Sequence, residues 1–84
     1  MYRYYFIFRS VTSAQRALQI LRKKGIEAAL TPAPGVNHSN GCGHAILVNS
    51  PWNVPASAAL RSVGHVPVRV LRSIGSAAFE EVAF

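Results

Sequence analysis

The sequence predicts an α+β fold in which four antiparallel strands form one sheet and two helices pack on one face of it. Apolar residues recur with strand spacing and then helix spacing, in the order strand, helix, strand, and this order occurs twice. Each helical segment is followed by a glycine, Gly25 or Gly64, the usual residue just beyond a helix C-terminus. Two such units within 84 residues are typical of the ferredoxin-like βαββαβ sandwich.

The first unit opens with an aromatic strand, Arg3 to Phe8, whose apolar side chains on both faces predict burial on both sides. A helix follows, with an apolar stripe at helical spacing: Ala14, Ala17, Leu18 and Leu21. Its candidate N-caps are Ser10, Thr12 and Ser13. A short second strand is predicted from Ile26 to Thr31, ended by Pro32.

The second unit has a third strand from His44 to Val48 and a fourth from Val66 to Arg72. The helix between them carries its stripe at Ala56, Ala59, Leu60 and Val63. We therefore expect one domain over residues 1–73 and a tail over residues 74–84. In the tail a short helix capped by Ser76 would place Glu80 and Glu81 near its positive end. Three apolar tail residues would then need a surface to cover them: Phe79, Val82 and Phe84.

Composition points to an ordered domain in a reducing compartment. Half of the 84 residues are apolar, which favours a folded core over disorder. The apolar runs are too short to cross a membrane, so no membrane association is expected. One unpaired thiol and an aromatic N-terminus without signal-peptide features favour the cytoplasm.

The charge balance is strongly basic, with nine Lys and Arg against three acids and a net charge of +6. Three consequences are compatible with such a balance: binding of nucleic acid, binding of an acidic protein, or stabilisation of an anion at a site. A solvated basic surface without a specific partner would show the same composition.

The most informative residue is the only cysteine, Cys42, which lies between Gly41 and Gly43 and two residues before His44. Glycines on both sides leave a thiol unshielded by neighbouring side chains. A lone cysteine cannot form an internal disulfide and cannot build a cysteine-only metal cage. The remaining roles are nucleophile, sulfur carrier, partial metal ligand, or a small buried apolar residue.

A reactive role for Cys42 would require a stabilised thiolate. Backbone N–H groups at Gly41 and Gly43 can surround the sulfur, and a protonated His44, or His38 from the preceding loop, would favour the anion. We therefore expect an accessible thiol with a pKa below the free value of about 8.5. Either histidine is otherwise an ordinary solvent-facing side chain.

The chain lacks most of the residues that other kinds of catalytic or metal site require. A Cys-His-acid triad lacks an acid, because Glu27 is the only one outside the tail. Cys42, His44 and His38 do not have the tight spacing of a metal site, so neither a metal nor a cofactor is expected. We expect a carrier protein more than a catalyst.

Two binding functions remain as alternatives in which the cysteine is structural. Tyr2, Tyr4 and Tyr5 on the first strand suit base stacking in an RNA-binding sheet, but the third strand has no aromatic residue. Exposed aromatics on the helix-free face, together with the apolar tail, suit a protein-interaction module or a homodimer.

Several segments between Tyr5 and about Val48 carry a family resemblance: Phe8-Arg9-Ser10, Ala14, Gly25-Ile26, Leu30, Pro32, Pro34 and Cys42-Gly43. This pattern resembles the small bacterial Se/S carrier protein-like family, with a helix closing on glycine, a strand ending in P-x-P, and Cys-Gly before the next strand. The chain departs from it at Gly35, where arginine is common, near Leu18, where glutamate is common, and in a loop about one residue longer. The resemblance implies that Cys42 bears sulfur or selenium and that donor and acceptor proteins are its partners.

Overall fold

A computed structural model describes residues 2–32, 44–75 and 78–84. In these residues the order of elements is β1 (Arg3–Phe8), α1 (Val11–Lys23), β2 (Ala29–Pro32), β3 (His44–Asn49), α2 (Asn53–Ser62), β4 (Arg69–Ser73) and β5 (Phe79–Val82). The strands form one sheet in the order β2-β3-β1-β4-β5, and each neighbouring pair is antiparallel. The predicted α+β class is confirmed, whereas the prediction of four strands is wrong because the tail adds a fifth.

The sheet separates a large core from a small one. Side chains on one face pack against both helices: Phe6, Phe8, Ile46, Val48 and Val70 from the strands, and Ala14, Ala17, Leu21, Ala56, Ala59 and Leu60 from the helices. On the other face Ile7, Ala45 and Leu71 are buried, with Tyr5 and Phe79 partly buried against them. Both helices therefore cover the same face, and β1 and β3 contribute to both cores.

Helix α1 begins at Val11 and is capped by Ser10, one of the three candidate caps, whose Oγ accepts a hydrogen bond from the Ser13 N–H at 3.1 Å. Both helices end as predicted, with Gly25 at φ 75° and Gly64 at φ 71°. The next residues, Ile26 and His65, each donate a backbone hydrogen bond of 3.0 Å to the carbonyl five residues earlier. These bonds satisfy carbonyls at the end of each helix and turn the chain back toward the sheet.

Three strands differ from their predicted bounds, β3 only in ending one residue later than predicted, at Asn49. Strand β2 begins at Ala29 instead of Ile26, because Ile26 is buried in the core as part of the helix end. Strand β4 begins at Arg69 instead of Val66, and Val66 remains exposed. Val68 is also exposed, although its N–H donates to the Ile7 carbonyl at 2.8 Å.

The tail is a strand, so the predicted tail helix is wrong; its proposed cap, Ser76, lies outside the described residues. Alternation along β5 points successive glutamates to opposite faces, where each meets an arginine of β4. Glu80 forms an ion pair with Arg72, and Glu81 Oε1 lies 2.9 Å from Arg69 Nη2. The three apolar tail residues are covered within the chain itself: Val82 and Phe84 by the large core, Phe79 by the small one.

Candidate functional site

The candidate site is the end of the sheet at which the described chain stops at Pro32 and resumes at His44, on either side of the segment that contains Cys42. Strand β2 ends there at Pro32 and β3 begins there at His44, and these two residues are paired across the strands. On its other side His44 is paired with Phe8, the last residue of β1. The chain therefore leaves the sheet at Pro32 and re-enters it at the neighbouring His44. Both positions are close to the point where β1 leads into α1.

Four of the five predicted site residues belong to the connecting segment 33–43: His38, Gly41, Cys42 and Gly43. These four lie outside the described residues. The fifth, His44, is the first residue of β3, as its predicted strand requires.

His44 is half-buried, so its side chain is not the fully solvent-facing one that the alternative interpretation expects. Strand alternation puts it on the face that carries Ile46 and Phe8, the face covered by the helices. The imidazole therefore belongs to the helix-covered side of this end of the sheet.

A second histidine, His65, lies at the same end. Its ring stacks on Phe8, with centroids 5.2 Å apart and an angle of 20° between the planes. Its Nε2 lies 2.8 Å from the Ser13 carbonyl oxygen and 3.4 Å from Ser13 Oγ. Because a carbonyl oxygen only accepts, Nε2 is the protonated nitrogen that donates to it. His65 thus joins the end of α2 to the first turn of α1 across Phe8.

Sequence reasoning did not single out His65. His65 belongs to no sequence motif. The one feature that could have indicated its packing is its position directly after Gly64. That position follows the glycine of a helix end, and the residue there commonly packs back against the structure. After α1 the equivalent residue is Ile26, which packs back as a buried apolar side chain.

The three tyrosines predicted as candidates for base stacking have contacts within the protein. Tyr4 packs against the large core, while Tyr5 lies on the opposite face in edge contact with Phe79 at 5.6 Å. The Tyr2 ring lies 4.7 Å from the Arg72 guanidinium carbon. Each of these rings already has a partner inside the chain, so the base-stacking role predicted as an alternative has no support from them.

Within residues 2–32, 44–75 and 78–84, no three metal-ligating side chains lie together. In the same part of the chain, neither helix is long and apolar enough to span a membrane.

The architecture is a small α+β domain with a long connection between two paired strands, and the only cysteine lies in that connection. A family model described as "Putative Se/S carrier protein-like" matches residues 3–63, from β1 through α2. The chain belongs to this family. No curated protein and no solved structure matches it.

Proposed function

We propose that this protein carries sulfur or selenium on the Cys42 thiol as a persulfide-type adduct and passes it to an acceptor protein. The observation that carries the proposal is the family match over residues 3–63, which includes the loop with Cys42. Because the chain has one cysteine, a thiol-based carrier function falls on that residue.

The exchange needs no added oxidant or reductant. The Cys42 thiolate attacks the terminal sulfur of a donor protein's persulfide, the donor's S–S bond breaks, and the donor leaves as a thiolate. The new S–S bond holds one sulfane sulfur on Cys42. An acceptor nucleophile then attacks that terminal sulfur, and Cys42 is released as a thiolate. Selenium follows the same exchange when the donor holds a selenosulfide.

His44 is the described residue best placed to assist. It is two residues from Cys42, so the chain keeps their Cα atoms within about 7.6 Å. A protonated imidazole near the sulfur would favour the thiolate, as would N–H groups at Gly41 and Gly43 and the positive charge of the protein. A reducing compartment such as the cytoplasm would keep the thiol free between cycles.

We also propose that the elements from β1 to β4 are a ferredoxin-like unit to which β5 is added. The strand order β2-β3-β1-β4 and the placement of both helices on one face support this. In that case the unit ends at Ser73, the last residue of β4, and the tail extends its sheet.

The test is intact mass spectrometry after incubation with a cysteine desulfurase and free cysteine. We expect the wild-type protein to gain the mass of one sulfur atom and to lose it on treatment with dithiothreitol. The Cys42→Ser variant should gain nothing, and His44→Gln should load more slowly because the thiolate fraction is smaller.

A second measurement distinguishes a Cys42 thiol that is accessible but does not accept sulfur from one that is buried. We expect the native thiol to react with iodoacetamide, at a rate that rises with pH through a midpoint below about 8.5. A cysteine that reacts only after denaturation, in a protein that never gains sulfur, would be structural and would end the carrier proposal.

A further inference from the structure

Positive charge is unevenly distributed over the protein. Two of the three acids, Glu80 and Glu81, are paired with Arg72 and Arg69 on the β4–β5 side. The third, Glu27, is exposed and forms no ion pair with a described residue. The net charge of +6 is therefore carried by cations elsewhere in the molecule.

Helix α1 concentrates these remaining cations. Of the seven Lys and Arg without a carboxylate partner among the described residues, four lie on α1 or directly after it: Arg16, Arg22, Lys23 and Lys24. The helix contains no acidic residue. The repulsion between these cations is therefore not offset by ion pairs between residues three or four apart in the helix. Favourable placement at the helix C-terminus accounts for Arg22 and Lys23, but not for Arg16 in the middle of the helix.

Part of this surface is a groove. Arg16, Gln19, Ile20 and Lys23 line a volume of about 190 Å³ on the outside of α1. Their spacing puts the four side chains on one side of the helix, and we call them the α1 basic face. Ile20 is partly buried against the core and provides an apolar floor between the two cations.

We propose that the α1 basic face docks an acidic segment of a partner protein, with an apolar side chain of that segment on Ile20. Charge complementarity carries the argument: two cations without a carboxylate partner among the described residues flank an apolar site on a helix without acids. The face has no aromatic residue on which bases could stack, which favours a protein over single-stranded nucleic acid. If Cys42 carries sulfur, the partner is a donor or an acceptor, but docking does not require the thiol.

The experiment measures fluorescence anisotropy of three labelled probes of equal charge at low ionic strength. They are a peptide of repeated Glu-Leu-Glu-Glu units, a peptide of glutamate alone, and single-stranded oligothymidylate. We expect the peptide containing leucine to bind tightest. The Arg16→Gln/Lys23→Gln variant should bind it about tenfold more weakly, since it removes both flanking charges. The matched control, Arg3→Gln/Arg9→Gln, removes the same charge elsewhere and should change binding less than about twofold.

Three results would overturn the proposal: no binding of the leucine-containing peptide to the wild-type protein, equal weakening in both double variants, or tighter binding of oligothymidylate. Amide chemical shifts recorded during the titration should move along residues 16–24, which locates the contact without any variant. The Cys42→Ser protein should bind like the wild type, so failure of docking and failure of sulfur loading are separate outcomes.

Discussion

Gly25 and Gly64 hold the helix ends at positive φ, a conformation that other L-residues adopt only at a cost. A Cβ added at either position would meet nothing within 4 Å, so the cost of substitution comes from the backbone alone. We predict that Gly25→Val and Gly64→Val each lower the free energy of unfolding by about 1–2 kcal/mol, measured by urea denaturation.

Gly75 provides the matched control for that prediction. It also has open space around a new Cβ, but its φ is not in the left-handed region. Gly75→Val should therefore change the free energy of unfolding much less. Equal losses at all three glycines would show that positive φ is not the cause.

The two described histidines of the candidate site differ in how far sequence could place them. His44 was placed because a run of apolar residues follows it directly, and such a run defines where a strand begins. The place of His65 depends on Phe8 and Ser13, which are more than fifty residues away in the chain. No local pattern encodes that contact, since it exists only once α2 has packed beside α1.

At the scale of elements, the tail that contains β5 packs against the core. The Phe84 ring, two residues beyond β5, meets Phe6 edge to face at 6.2 Å, and the Arg61 guanidinium lies 4.9 Å above it. We predict that Phe84→Ala lowers the free energy of unfolding by about 1–2 kcal/mol, below the value for a fully buried ring because Phe84 is half-buried. Thermal or urea unfolding measures the loss.

Val54, whose side chain is 69% exposed, is the control residue for this experiment. Val54→Ala should stay within about 0.5 kcal/mol of the wild type. If Phe84→Ala were equally neutral, the tail would be an appendage that the domain does not need.

Elements whose apolar residues repeat at regular spacing could be predicted from the sequence. Elements that depend on contacts with a distant part of the chain could not. The apolar stripe of α1 and the glycine after it predicted both the helix and its end. Strand β5 has two glutamates at its centre, which do not predict a strand. Their place in the sheet is explained only by Arg69 and Arg72 on β4, with which they form ion pairs. The sequence predicts Ile26 in β2 because an apolar residue after glycine occurs both at the start of a strand and at the end of a helix.

For the whole molecule, the excess of positive charge should oppose folding at low ionic strength. We predict that the melting temperature rises by a few degrees as sodium chloride increases from about 10 mM to about 200 mM, because the Debye length shrinks from about 30 Å to below 10 Å. Differential scanning calorimetry measures the change.

The Arg16→Gln/Lys23→Gln variant has a lower net charge than the +6 of the natural chain and should show a smaller rise. A melting temperature independent of salt, or one that falls, would mean that the cations on α1 do not repel one another appreciably in the folded state.

The pairing of Pro32 with His44 has a consequence for insertions and deletions in the chain between them. A loop whose two ends are held side by side by a strand ladder can gain or lose residues while both strands keep their register. The entropic cost of closing such a loop grows only slowly with its length, by about 0.6 kcal/mol for each doubling. We therefore expect that residues can be added or removed between Pro32 and His44 at a cost below about 1 kcal/mol, while β2 and β3 keep their register.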